Sequence, residues 1–337
     1  MNRYNAILIT FTLTAISLSA SAAGYFELQV ADPDYKPLQV GVWYPTDKPP
    51  PSLPNTEYEL AVAIDAPAAS INGGLIVISH GYSGWYGGHA DTAIALADAG
   101  YVVAAPSHAG NTWSDMSASV GEWLIHRPRQ ISRVIDAVTE HAAFASHIDA
   151  TKIGAYGFSA GGYTAIGLIG GVPDLDHAQQ HCNTHPTEFV CAEGLIDAMF
   201  SADVRALPPE SWGADPRISA AAISAPALAF AYTEESLKNV KADLQLWSGE
   251  LDDSVPTNTN AALFAKRLPV PPETHWIEKA GHFAFMTVSC RDSFKKADPE
   301  EYQIICGDQD GFDRKLFHQQ MHIEMIRFFN ESFGISH

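Results

Sequence analysis

The sequence predicts one α/β domain: a mostly parallel central sheet with helices on both faces, an N-terminal antiparallel hairpin, and an inserted cap-like segment. Three observations carry this. Short apolar runs alternate with segments whose apolar residues recur at helical spacing. The runs are apolar almost throughout, as expected of strands buried on both faces. Two period-two runs near the start read as a hairpin. At 337 residues, 46% of them apolar, the chain is long enough to bury a sizeable core.

The elements follow in order. Residues 1–22 have the layout of a secretory signal: Arg3, then an apolar run from Ala6 to Leu18, then Ala20-Ser21-Ala22 as a small-residue cleavage site. Thr and Ser interrupt that run, and it is short for a bilayer span. Export to the periplasm or the exterior is therefore expected, leaving 23–337 as a single mature domain. No later segment of the sequence is long and apolar enough to span a membrane. The hairpin runs are Phe26–Val30 and Leu38–Tyr44, and a proline-rich loop spans Asp47–Pro54. Strands are expected at Leu75–Ser79, Tyr101–Pro106, Ile153–Phe158, Ala220–Ser224, Leu244–Ser248 and His275–Glu278. Helices are expected at Asp91–Ala99 and at Pro128–His141, where Ile131, Val134, Ile135 and Val138 share a face. A final helix, Asp313–Phe333, would bury Leu316, Ile323, Ile326 and Phe333 before Gly334. Two segments, near 171–216 and 288–311, break the alternation and read as insertions on the sheet scaffold. The first is expected to roof a pocket.

In an exported chain the four cysteines read as disulfides. Three pairings are possible. Cys182–Cys191 and Cys290–Cys306 are expected, because each pair brackets its own irregular segment. His177, His181, Cys182 and His185 lie close together but match no strong zinc spacing, so no metal is expected. The mature chain carries 19 basic and 39 acidic residues, a net −20. That disfavours nucleic acid and anionic membrane surfaces as partners. No dinucleotide or phosphate-loop motif is present, so no cofactor is expected.

Chemistry centres on "IGAYGFSAGGYTA". Ser159 falls where a strand turns sharply into a helix, which presents its hydroxyl at the strand's carboxyl edge. Gly157 and Gly161 give such a turn the room it needs. A serine hydroxyl needs a base to become a nucleophile. His282, behind Gly281, follows one later strand, and Asp252 and Asp253 follow another. Upstream, "LIVISHGYSGWYGG" runs a strand into His80-Gly81-Tyr82. The backbone N–H groups of Tyr82 and Ala160 are the candidate oxyanion donors. His80 precedes the serine and reads as support for its loop. Trp85, Tyr86, Phe200 and Trp212 are candidate substrate-binding residues, with Phe189, Leu195 and Met199 as further possible lining.

Val42-Trp43-Tyr44-Pro45, Ser79-His80-Gly81, Arg127-Pro128, Gly157-Phe-Ser159-Ala-Gly161-Gly162, Gly249 to Pro256, and Gly281-His282 together resemble the α/β-hydrolase superfamily. More narrowly they resemble its dienelactone-hydrolase-like group, which is also similar to plasma platelet-activating-factor acetylhydrolases. The resemblance spans nearly the whole mature chain. It implies a Ser159–His282–Asp252 triad, with Asp252 preferred to Asp253 by its place between Gly249 and Pro256. The dienelactone hydrolases of the group use a cysteine nucleophile, and serine at 159 favours a serine esterase instead. The expected function is hydrolysis of a small-molecule carboxylic ester through an acyl-enzyme. The alternatives are a peptidase or amidase, which would need added recognition of the peptide, and a non-catalytic binding module, which would be expected to lack a triad member.

Overall fold

The computed structural model describes residues 23–336 apart from Glu57, Phe200 and Val288. The expected signal segment and Phe200 thus lie outside the described residues. The elements that position the site are β1 (Ala23–Val30), β2 (Leu38–Pro45), β3 (Ala63–Ile64), β4 (Leu75–Ser79), α1 (Ala90–Asp98), β5 (Val102–Pro106), α2 (Val120–Glu140) and β6 (Ile153–Phe158). They continue as α3 (Ala160–Leu168), α4 (Leu175–Thr184), α5 (Phe189–Ala192), α6 (Leu195–Met199), β7 (Ile218–Ser224), β8 (Asp243–Gly249) and β9 (Glu273–Ile277), and the chain closes with a helix over Arg314–Phe333.

The nine strands form one sheet in the order β3-β1-β2-β5-β4-β6-β7-β8-β9. From β5 to β9 every pairing is parallel, while β1–β2 and β2–β5 are antiparallel. Successive side chains of a strand face opposite ways, so the central strands feed two cores. Leu75, Val77, Val102 and Ile153 pack with Ile131, Val134 and Val138 of α2 on one face. Ile76, Ile78, Val103 and Tyr156 pack with Leu96 of α1 and with Phe329 of the C-terminal helix on the other. The strands therefore end together at one edge. Four of the loops there carry the residues of interest.

The structure corrects the sequence reading in three places. α2 begins at Val120, not Pro128, because Ser119 and Glu122 form a reciprocal capping box and the helix continues through Pro128. The C-terminal helix buries Phe317, Met321, Met325, Phe328, Phe329 and Phe333, whereas Leu316 and Ile323 are 50% and 65% exposed. Its buried stripe is aromatic and methionine-rich; the expected Phe333 and the partly buried Ile326 pack on that core, whereas Leu316 and Ile323 do not. The two-residue β3, which pairs in parallel with β1, was not anticipated. The cysteines pair as expected, Cys182–Cys191 tying α4 to α5 and Cys290–Cys306 closing the second insertion.

Candidate active site

Ser159 joins β6 to α3 with φ 54° and ψ −116°, a left-handed backbone that a non-glycine residue adopts only under constraint. The constraint is visible. Its N–H donates to Ser224 O of β7 at 3.0 Å, and its carbonyl accepts from the N–H groups of Gly162, Tyr163 and Ala227. A Cβ on Gly157 would lie 2.1 Å from Gly161 O, and one on Gly161 would lie 1.9 Å from Ser79 O. No side chain fits at either position, so the turn can be this tight only with both glycines.

The loops after β8 and β9 converge on the hydroxyl. A Cβ on Gly249 would lie 2.3 Å from Ala280 O, so the two loops touch at this glycine. That contact brings Asp252 against His282. Asp252 Oδ2 lies 2.7 Å from His282 Nδ1, and Oδ1 accepts from Val255 N–H at 2.7 Å. His282 Nε2 lies 3.1 Å from Ser159 Oγ. An ionised carboxylate only accepts, so a neutral ring carries its proton on Nδ1 and leaves the Nε2 lone pair facing the serine hydroxyl. Asp252, His282 and Ser159 are all buried, whereas Asp253 is exposed and touches neither. The ring of His282 also packs on Phe158, with centroids 4.9 Å apart.

On the other side of Ser159 runs the loop after β4. A Cβ on Gly81 would stand 3.0 Å from Phe158 and 3.5 Å from Ser159 Cβ, which places this loop beside the hydroxyl. Ala160 opens α3, and both Ala160 and Tyr82 line the cleft in front of Ser159. Neither residue's N–H has a backbone partner among the described residues. Beneath the loop lies a buried polar network that the sequence does not reveal. Arg127 of α2 donates to His80 O and Gly81 O at 2.7 Å each and to Asn111 Oδ1 at 3.1 Å. His80 Nε2 accepts the His108 N–H at 3.0 Å, and His108 bridges Ser79 Oγ and Gln130 Oε1. Burial, then the Arg127 charge, hold His80 well below the usual histidine range, so it is neutral. The sequence signals for this network were His80, read as support for its loop, and the Arg127-Pro128 pair. The two carbonyls that Arg127 holds lie 46 and 47 residues away, and Asn111 lies 16 away.

The cleft has a cavity volume of about 90 Å³ and is lined by Tyr82, Trp123, Phe189, Leu195, Met199, Phe230 and Val255. Phe189, Leu195 and Met199 come from the first insertion, which covers the site through α5 and α6. Glu188 is the charged lining residue, and His181 pairs with it at 2.9 Å. Three expected lining residues are elsewhere. Trp85 caps and Tyr86 opens a 3-10 turn, and neither lines the cleft in front of Ser159. Trp85 packs on Tyr58 and Tyr86, and the Tyr86 hydroxyl reaches Glu27 Oε1 at 3.0 Å. Both line a separate depression with Lys36 and Trp113. Trp212 is buried in the core shared with α2 and α3.

Among the described residues, two clusters have converging metal-ligating atoms. In the first, His181, His185 and Glu188 converge, but the histidine rings stack in parallel 4.3 Å apart, and no single ion can lie in both ring planes. Cys182, beside them, is held in its disulfide. In the second, Asp91, His318 and His322 converge, but the carboxylate of Asp91 already pairs with His318 Nδ1 and with the Thr287 hydroxyl. Hydrogen bonds account for both clusters.

Residues 60–189, which include the β4 loop, Arg127 and Ser159 but neither Asp252 nor His282, match the dienelactone hydrolase family. A comparison with curated proteins finds no match. Among solved structures, a ferulic acid esterase from Streptomyces cinnamoneus is similar with a TM-score of 0.60 at 18% identity, over 94% of this chain and 91% of that one. The chain has the α/β-hydrolase fold, and from residue 60 to 189 it is similar to the dienelactone hydrolase family.

Proposed function

We propose that the protein is an exported serine hydrolase that cleaves carboxylic esters through an acyl-enzyme. The observation that carries this is the unbroken line from Asp252 through His282 to Ser159, at 2.7 and 3.1 Å, opening onto an apolar cleft. Ser159 Oγ attacks the ester carbonyl as His282 Nε2 takes its proton. The negative oxygen of the tetrahedral intermediate is received by the N–H groups of Ala160 and Tyr82. His282 then protonates the departing alkoxide, and the acyl group stays on Ser159. Water enters, gives a proton to His282 and releases the acid as Ser159 recovers its hydrogen.

The lining supports an uncharged substrate with an apolar or aromatic group. Tyr82, Trp123, Phe189 and Phe230 offer ring faces, and the one carboxylate, Glu188, is already paired. The small cavity favours a short or flat acyl group, and an aryl acid of the kind named for the structural neighbour is one candidate. Two disulfides and the layout of residues 1–22 support export.

Turnover of p-nitrophenyl esters of increasing acyl length, measured beside Ser159→Ala, tests the reading. A loss on the order of 10⁶ is expected for Ser159→Ala on every ester that the protein cleaves. Equal turnover by the two proteins would remove Ser159 as nucleophile.

A further inference from the structure

Arg127 lies in the interior of α2, only 1% exposed. Burying a guanidinium is costly unless its surroundings compensate it, and the usual compensation is a carboxylate. Among the described residues none pairs with it. Its donors go instead to His80 O, Gly81 O and Asn111 Oδ1, and the group lies 5.4 Å over the Trp123 ring. Burial pushes its pKa down to about 9, which leaves it charged at neutral pH.

The acceptors matter more than the burial. His80 Nε2 accepts from His108 N–H, so the proton of the neutral ring is on Nδ1, 2.7 Å from Gly81 O. Gly81 O therefore accepts hydrogen bonds from Arg127 and from His80, besides the Gly84 N–H at 3.2 Å that closes the turn. That carbonyl belongs to the same peptide unit as the Tyr82 N–H. Hydrogen bonds to the oxygen of a peptide polarise it and strengthen what its N–H can donate. In the resting protein the Arg127 charge has no anion to face. In the tetrahedral intermediate it gains one at the far end of this peptide, so the interaction grows as the reaction proceeds.

We propose that Arg127 is a positioning residue that aims and polarises the Tyr82 N–H, through the Gly81–Tyr82 peptide, at the developing oxyanion. The proposal rests on the reading of Ser159 as nucleophile. It goes beyond that reading by giving the buried arginine a share in transition-state stabilisation.

The test uses the full mature chain, with Arg127→Met and Arg127→Lys compared to the parent. A preferred short-chain p-nitrophenyl ester serves as substrate, and an aryl trifluoromethyl ketone serves as a reversible tetrahedral mimic. Arg127→Met is expected to lower kcat by about 10²–10³, the effect of losing an oxyanion donor, with KM moving by less than about threefold. Affinity for the ketone should fall by the same factor as kcat/KM. Arg127→Lys keeps the charge but cannot reach both carbonyls, so it should recover part of the loss. Circular dichroism and melting identify a variant that has failed to fold. If Arg127→Met is such a variant, the lysine variant carries the test, and ketone affinity should again fall in step with kcat/KM. A folded variant with kcat within about threefold of the parent, or with ketone affinity unchanged, overturns the proposal. Ser159→Ala keeps the two failures apart: full turnover by that variant sinks the nucleophile reading, whereas an inactive Ser159→Ala beside an unimpaired Arg127→Met sinks this inference alone.

Discussion

Asp252 has both oxygens engaged, one by His282 and one by Val255 N–H, and its side chain is shut away from water. Replacing it with Asn would leave an amide that can offer its N–H to His282 Nδ1 and fix the wrong tautomer. Asp252→Asn is expected to lower kcat by on the order of 10⁴ with the fold intact, whereas Asp253→Asn should be nearly silent. Steady-state kinetics on one ester would check both, and a reversal of the pair would reassign the acid. The glycines fail differently. A methyl on Gly161 would meet backbone rather than a movable side chain, so Gly161→Ala is expected to disrupt the turn and cost stability along with activity. Thermal melting would show it. Ser159, Asp252 and His282 were legible in the sequence because each sits a few residues past an apolar run, shortly after a glycine. Trp85 and Tyr86 were misplaced because nearness in sequence does not say which way a loop turns. Arg127 was legible only as half of an Arg-Pro pair, because its partners lie in a distant loop.

The elements show where periodicity suffices and where it does not. The apolar runs located β4 and β6 to the residue, since a strand buried on both faces has a sharp compositional edge. α2 was started too late because Pro128 looks like a first-turn proline, while the capping box at Ser119 and Glu122 sets the true start. The C-terminal helix was found, with Phe333 and Ile326 on its packed face as expected, but Leu316 and Ile323 point to solvent and the stripe's Phe317, Met321, Met325, Phe328 and Phe329 were not singled out. That helix also carries a testable charge. His318 faces Asp91 of α1 with one ring nitrogen and Ala284 O, in the turn that begins at His282, with the other. Both partners accept, so the ring has to carry two protons. Burial opposes this, but the Asp91 carboxylate outweighs it and holds the pKa above the usual histidine value. Around the pair, burial lowers His322 and brings His89 to about 4, so both are neutral at pH 7, and Arg314 adds a weaker opposing charge. A raised histidine contributes stability in full below about pH 6.5 and loses it as pH rises through the folded-state value. The melting temperature should therefore decline on the alkaline side of 6.5 more steeply in the parent than in His318→Gln. Parallel profiles would show that the pair adds nothing.

At the scale of the molecule, the sheet order brings four loops to one edge, and every residue proposed for the chemistry lies there. The fold class was legible because strand–helix alternation is a global pattern that survives local errors in phase. The shape of the cleft was not, since it depends on how α4, α5 and α6 fold back over the sheet, and nothing periodic in residues 171–216 encodes that. The Cys182–Cys191 disulfide ties α4 to α5, and Phe189 of that short helix lines the cleft. Its removal by Cys182→Ser with Cys191→Ser is expected to raise KM for aryl esters, with little change in kcat on acetate. A parent-like KM profile would show that the insertion shapes the cleft without this tie. The central question is whether an acyl group comes to rest on Ser159. Mixing the mature protein with a p-nitrophenyl ester should give a burst of nitrophenol close to one equivalent. Acid quenching and peptide mass analysis should then find the acyl group on the peptide that contains Ser159. Stoichiometric acylation elsewhere, or the same adduct on the Ser159→Ala protein, would contradict the mechanism.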